Sequence, residues 1–293
     1  MRIQFAFCIF IIILSQNLTS NAQNLPDSTR TFRIETNDGN IYTGWIISDN
    51  EAVLVFKTLN LGEIRIPHTD IKSQIELKGV KEVGGKIWLP NPQSARYFWA
   101  PNGYGLEQGS SYYQNNWILF NQVSVGVTND FSLGAGVLPL FLFSGASTPV
   151  WIVPKFSIPV VKNEFNIGIG AFLGTVLGEK TGMFGLVYGT TTFGTRDQNI
   201  SLGLAYGFDQ GEWMNVPVFN FSGMIRYSPK SYFITEDYVI SAGGDMIFLL
   251  SVGGRSIIRN IGIDYSLWIP CGSGSEFVAI PFLGVTVPIG KKK

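Results

Sequence analysis

Histidine and cysteine are nearly missing from this chain: there is one histidine and there are two cysteines in 293 residues. A lone histidine, His68, cannot anchor a histidine-rich metal site. It also leaves the chain after it without the base that serine and aspartate mechanisms use. His68 follows Pro67 and reads as a turn residue. Cys8 falls in the N-terminal apolar run, so the rest of the chain carries Cys271 alone. One thiol makes neither an intrachain disulfide nor a zinc cluster. Its surroundings, Pro270-Cys-Gly-Ser-Gly-Ser275, read as a loop tip with an incidental thiol. Long apolar runs are missing too, since none reaches the ~18 residues of a membrane-spanning helix.

The nearest approach, Phe5 to Leu14, has another reading. Arg2 precedes it and the small-x-small triplet Ser20-Asn21-Ala22 follows it. Together these are a secretory signal over residues 1–22, with Gln23 as the first mature residue. Apolar residues continue after Cys8, which argues against lipoprotein cleavage before it. Charge and glycine divide what remains. Between Gln23 and Trp99 roughly a quarter of the residues are charged, an ordinary value for a soluble domain. From Ala100 onward about one residue in eight is charged, and glycine rises to about one in seven, twice its usual share. Gly and Pro punctuate the stretch between Lys78 and Pro92. The expected layout is a small module at 28–77, a linker at 78–95 and a second module at 96–293.

In the small module, residues 31–36 alternate apolar and polar, and Asp38-Gly39 is a hairpin signal. Further strand-length segments lie at 40–48, 52–59 and 63–67, with a short last element at 70–77. Short strands and tight turns in a segment of this size predict a small closed β-barrel. The order resembles the Sm-like and related SH3-like small barrels, on Asp38-Gly39, Tyr42-Thr-Gly44 and Leu61-Gly-Glu-Ile-Arg-Ile-Pro67. RNA binding is not carried over from that resemblance, because the module has neither a basic excess nor an aromatic stacking platform. A periplasmic module that contacts a protein partner is the expectation, with no nucleic acid.

The second module is organised around the segment 199–208. Ile200, Leu202, Leu204, Tyr206 and Phe208 share one face of an extended strand, while Ser201, Gly203, Ala205 and Gly207 share the other. A greasy face opposite a glycine and alanine face, with no charge between, suits a transmembrane barrel with lipid outside and a crowded lumen. The same alternation recurs at 117–127, 131–139, 150–160, 165–176, 183–193, 218–227, 246–255, 261–269 and 277–289. In 183–193 it puts Phe184, Leu186 and Tyr188 on the apolar face against Gly185 and Gly189. Segment 232–240 is weaker, because Glu236 and Asp237 are adjacent and one of them must leave the lumen. Tight turns such as Asn129-Asp130 and Arg259-Asn260 alternate with mostly longer loops, the outer-membrane habit of short periplasmic turns. An upward first strand is then required, and the segment 96–106, with Tyr97, Phe98 and Trp99 at an aromatic belt, fills that place. The fold class expected is all-β: about 12 transmembrane antiparallel strands, with 10 as the alternative, preceded by a small soluble β-barrel. Over its whole length this module resembles Gram-negative outer-membrane β-barrel proteins. It departs from them at its end, Val287-Pro-Ile-Gly-Lys-Lys-Lys293, which lacks a terminal aromatic; the insertion signal is atypical or lies further in, around Phe282.

No paired carboxylates, no phosphate-binding glycine loop and no metal or cofactor motif are found, so an enzyme is not expected. By strand phase Arg226, Arg255 and Asp264 point inward. Lys155 shares the face opposite Ile152 and Phe156, and the pair Glu236-Asp237 lies between the two arginines. These six residues are the candidate lumen charge network. A buried charge needs a partner, so a salt-bridged network that stiffens a narrow barrel is preferred to a selectivity region in a pore. Two functions follow: a largely closed barrel that anchors the small module, and, as the alternative, a passive channel for a small solute; an outer-membrane enzyme is a distant third. Lipid is the expected surroundings, the outer membrane the expected location, and both termini are expected in the periplasm.

Overall fold

The computed structural model describes residues 31–58, 61–77, 81–83, 86–140, 147–180, 182–242, 245–258, 260–272 and 278–289. The signal at 1–22, Cys8, Phe277 and parts of the linker and longer loops lie outside them. The chain divides into two units, Met1–Leu77 and Lys78–Lys293.

The first unit holds β1 (Thr31–Thr36), β2 (Ile41–Asp49), β3 (Val53–Thr58), β4 (Gly62–Pro67) and β5 (Ile71–Leu77), with a 3-10 turn at His68–Asp70. Ile34, Leu54, Phe56 and Ile66 form its buried core, because the inward residues of successive strands stack. The β1–β2 hairpin turns at Asp38-Gly39, where Gly39 takes a φ of 85° that a side chain would oppose. The Asp38 carboxylate accepts from Thr36 Oγ1 at 2.5 Å and from the Asn40 N–H at 3.3 Å, and these bonds hold it below the usual carboxylate range. The sheet order is β4-β3-β2-β1-β5, with no ladder between its edges, β4 and β5. The expected small closed barrel is therefore an open five-stranded sheet. The 3-10 turn that joins the two edges spends its carbonyls elsewhere: Asp70 O accepts from the Asn37 N–H at 2.8 Å and Thr69 O from Asn37 Nδ2 at 2.8 Å. His68 is the turn residue anticipated, with Nε2 2.9 Å from Asp49 Oδ1.

The second unit opens with a two-stranded ribbon, β6 (Lys81–Val83) and β7 (Lys86–Trp88). No strand follows until β8 (Ser111–Asn116), β9 (Phe120–Gly126), β10 (Phe131–Val137), β11 (Thr148–Val161), β12 (Phe165–Leu177), β13 (Phe184–Gly194) and β14 (Gln198–Asp209). After the two-residue β15 (Glu212–Trp213) come β16 (Val218–Ser228), β17 (Ser231–Ala242), β18 (Asp245–Ile258), β19 (Ile261–Cys271) and β20 (Ile280–Ile289). Each pairs antiparallel with its sequence neighbour, β14 pairing past β15 with β16, and β20 pairs with β8 from Gly284↔Asn116 to Ile289↔Ser111. That last ladder closes a barrel of twelve strands, β15 standing outside the ring.

The outer face is apolar. Ile200, Leu202 and Leu204 are exposed there, as are Ile152, Phe156, Ile158, Phe219, Val252 and Leu267. At the short-turn end the rings of Phe131 and Phe156 lie 4.6 Å apart and those of Phe165 and Phe193 are stacked at 4.7 Å, an aromatic belt of the kind found at a bilayer interface. This exterior fits hydrocarbon, and the closed ladder leaves no backbone edge for lipid to desolvate.

Six sequence expectations change. The segment 96–106 is not a barrel strand, and the residues from Leu89 to Gly105 lie inside the wall; the linker expected at 78–95 therefore ends early. The first strand is Ser111–Asn116, a segment without the lipid-facing alternation because its outward residues, Ser111, Tyr113 and Asn115, are polar. In β13 the faces are reversed: Val187 and Phe193 are exposed while Thr190 and Thr192 are buried, so Tyr188 and Phe184 point inward. Glycines on β12 make room for them, since a side chain at Gly170 would strike Tyr188 and one at Gly174 would strike Phe184. Phe282 is buried inside the barrel and is not displayed to lipid, and Cys271 is the last residue of β19, half-buried.

Candidate functional site

The lumen is occupied by the chain itself. Residues 89–105 enter it and fold back as a small hairpin, with a bridge between Arg96 and Pro101 and a bond from the Tyr97 N–H to Ala100 O at 2.9 Å. Gln93, Ala95, Tyr97, Phe98, Asn102 and Tyr104 are buried. The tip carries Phe98 and Trp99, packed on Phe282 at 5.4 and 6.1 Å. An irregular segment like this cannot satisfy its own backbone groups, so the wall must do it.

The inner face of the wall provides those partners, and its charges carry most of the load. Among the described residues the buried charged side chains are Lys155, Arg226, Glu236, Arg255 and Asp264. Lys155 Nζ donates to Ala95 O at 3.0 Å and Tyr104 O at 2.6 Å. Arg226 donates to Leu89 O at 2.7 Å and to Pro229 O at 2.5 Å, faces Asp197 at 3.3 Å, and lies over the Trp88 ring at 4.7 Å. Glu236 accepts from the backbone N–H groups of Phe98 at 2.7 Å and Trp99 at 2.9 Å, and from the Tyr238 hydroxyl at 2.7 Å. Arg255, fully buried, spends its guanidinium on Asp264 at 2.6 and 3.0 Å, Gln93 O at 2.8 Å, Gln93 Oε1 at 3.0 Å, Tyr97 O at 2.7 Å and Asn91 Oδ1 at 3.1 Å. The hydrogen bonds of Asp264 thus reach the inserted segment through Arg255.

Neutral groups complete the grip. The Tyr97 hydroxyl donates to Asn199 Oδ1 at 2.6 Å, and Thr192 Oγ1 accepts the Gly103 N–H at 2.6 Å. Arg196, in the β13–β14 turn, donates to Ser94 Oγ at 3.1 Å and Gly105 O at 2.9 Å. The segment and the wall touch backbone to backbone at Gly103, where a Cβ would lie 2.6 Å from Asn166 O. Gly103→Val is expected to cost about 1–3 kcal/mol by overpacking this contact, read as a shift in the urea midpoint of the heat-modifiable form.

Of the six anticipated lumen charges, Lys155, Arg226, Arg255 and Asp264 lie inward as strand phase puts them, and of the adjacent acidic pair it is Glu236 that turns inward, yet they form no chain of salt bridges along the wall. Arg255–Asp264 is the one ion pair among the six in the described residues. Asp237 is the exception: it shares a face with Phe233, outward, and is half-buried. The β17–β18 ladder skips residues 235–237, keeping one register on both sides, from Ile234↔Gly253 to Tyr238↔Leu249. Side chains replace the missing bonds. Asp237 Oδ1 accepts the Ser251 N–H at 2.8 Å, Thr235 Oγ1 donates to Ser251 O at 2.7 Å, and Ser251 Oγ accepts the Glu236 N–H at 2.7 Å. Asp237→Ala strands that N–H and is expected to cost about 1–3 kcal/mol, measured by the same unfolding assay.

Above the hairpin tip, at the end with the longer loops, the lumen holds a cavity of about 310 Å³. Trp99 of the tip, Trp117 of the β8–β9 turn, Tyr238, Leu249 and Trp268 line it, with Val218 and Ile240 at its rim. Beside the hairpin a residual polar space of about 20 Å³ touches Lys155 and Tyr188, room for about one water. No group of three or more metal-ligating side chains occurs among the described residues.

No family model matches the chain, and no curated protein matches it. Among solved structures it is similar to a porin and to an outer-membrane protein. The KdgM porin shares 13% identity over 60% of this chain and 97% of that chain, with a TM-score of 0.44. OmpT of Vibrio cholerae, an outer-membrane protein, shares 11% identity over 89% of this chain and 96% of that chain, with a TM-score of 0.33. The barrel described above rests on its own strand ladder.

Sequence reasoning missed the inserted hairpin and the cavity above it. One signal pointed to the hairpin: Arg96 to Leu106 contains two glycines, a proline and an asparagine alongside its aromatics, a composition that weakens any strand.

Proposed function

We propose that this chain is an outer-membrane β-barrel whose lumen is shut by its own residues 89–105, and that it serves as a closed anchor for the small β module of residues 31–77 on the periplasmic side. One observation carries the reading: the buried charges of the wall are spent on the inserted segment, four of them directly on its backbone or side chains. A selectivity region would leave charge facing an open path. The apolar exterior and the aromatic belt support the membrane setting. The short turns at the end where β8 begins and β20 stops support a periplasmic start and finish. The module's open edges, β4 and β5, support a role in contacting a protein partner, since an unpaired edge can accept another strand.

Planar-bilayer recording tests this reading. The mature protein is expected to insert without conductance steps, and a variant lacking residues 91–105 to conduct in regular steps. Steps from the intact protein that change with Arg226→Ala would replace the anchor by the channel. Deleting residues 28–77 should leave a folded barrel while abolishing partner contact; an unchanged set of crosslinked partners would remove the module's role.

A further inference from the structure

The apolar cavity above the hairpin tip is not used by the closure just described. Its walls are almost wholly apolar; two of the polar side-chain groups on the lining are committed elsewhere, and the buried Trp268 indole N–H has no hydrogen-bond partner. The Tyr238 hydroxyl donates to Glu236, and the Trp117 indole N–H donates to Pro281 O at 2.7 Å. A charged ligand would find no charged side chain on the lining to offset its desolvation. The volume, about 310 Å³, is roughly twice the ~150 Å³ apolar cavity that holds benzene, so it fits two fused rings. It also lies at the lower end of the range for small-molecule sites of this apolar character.

A second observation concerns how the cavity is built. Trp117 and Ile118 adopt φ values of 48° and 65°, a left-handed conformation that costs a non-glycine residue about 1–2 kcal/mol. The turn holds it because the Trp117 N–H bonds Leu283 O at 2.9 Å and its indole bonds Pro281 O. The result is a tryptophan ring set 5.8 Å from Trp99 and 5.4 Å from Phe282. Glycines at these two positions would close the same turn without this strain and without the ring.

We infer that this cavity is a binding site for a free, neutral, apolar small molecule of about two fused aromatic rings, entering from the end with the longer loops. A lipid acyl chain from the bilayer is not the occupant chosen, because the wall beside the cavity is closed. The β18–β19 ladder runs unbroken from Phe248↔Cys271, and the β17–β18 gap is sealed by Asp237, Thr235 and Ser251. The floor is Trp99, whose N–H is held by Glu236, so the ligand rests on the hairpin that shuts the lumen.

The test uses the mature protein in lipid nanodiscs, titrated with 2-bromonaphthalene, whose bromine quenches nearby tryptophan. Saturable quenching above the linear partitioning background is expected. Val218→Phe and, separately, Ile240→Phe fill the cavity from neighbouring positions on the β16–β17 wall and should each weaken the saturable component at least tenfold while heat-modifiability is kept. Naphthalene should compete with the probe, and naphthalene-2-sulfonate should not. Quenching that is only linear in the intact protein, or saturable quenching unchanged in both folded variants, overturns the site. The outcome is separate from the anchor reading, since a conducting barrel would still pass or fail this titration.

Discussion

Arg255→Ala is expected to lower the unfolding free energy of the barrel by about 3–5 kcal/mol, the cost of breaking a buried pair from one side. The guanidinium is fully buried and serves the wall and the inserted hairpin together. Without it the Asp264 carboxylate keeps its burial and loses both arginine bonds, at 2.6 and 3.0 Å. Gln93 O and Tyr97 O lose a charged donor in the same step. The measurement is the urea midpoint of the heat-modifiable band. The double variant Arg255→Ala/Asp264→Ala should recover part of the loss, because the stranded charge is then gone. A loss below about 1 kcal/mol in the single variant would mean that water reaches this part of the lumen and replaces the arginine.

Glu236→Ala is expected to release the tip of the hairpin without unfolding the barrel. Two backbone N–H groups, of Phe98 and Trp99, lose a shared carboxylate. Hydrogen bonds to a charged group are worth about 1.5–3 kcal/mol each, so two of them hold the tip inward by a factor of about 100 or more in population. Removing them should turn a silent barrel into one with brief, irregular conductance events, seen in the same bilayer recording that tests closure. Tyr238→Phe removes one neutral donor to the same carboxylate and should give fewer events than Glu236→Ala. Silence of Glu236→Ala at high protein load would place the grip on the hairpin in Arg255 and Lys155 instead.

The strand pattern was legible because it answers a local demand. A barrel wall between lipid and lumen sorts side chains with period two, and Ile200, Leu202 and Leu204 opposite Ser201 and Gly203 show that sorting without any neighbour in view. Twelve strands also followed, though through the wrong first strand. Ser111–Asn116 hides because its outward residues, Tyr113 and Asn115, face Asn121 of the next strand and make polar contacts that a lipid-facing pattern does not anticipate. In β13 the hydrophobicity rule inverts, because Tyr188 and Phe184 fill space that Gly170 and Gly174 leave on the adjacent strand. That fit is a property of two strands in register, Gly170 opposite Tyr188, and neither strand carries it alone.

By itself, then, the sequence determined the class of the second unit, the face that meets lipid in most strands, the inward position of Lys155, Arg226, Arg255 and Asp264, and that one of Glu236 and Asp237 must leave the lumen. Tertiary structure alone decided what those charges hold. Their partners on the inserted segment are mostly backbone carbonyl and N–H groups, at Leu89, Gln93, Ala95, Tyr97, Phe98, Trp99 and Tyr104. Every residue owns such groups, so they leave no mark in a sequence. An aromatic cluster such as Tyr97-Phe-Trp99 likewise looks the same whether it is bound for a bilayer interface or for a lumen. Only the folded-back path of residues 89–105 distinguishes the two.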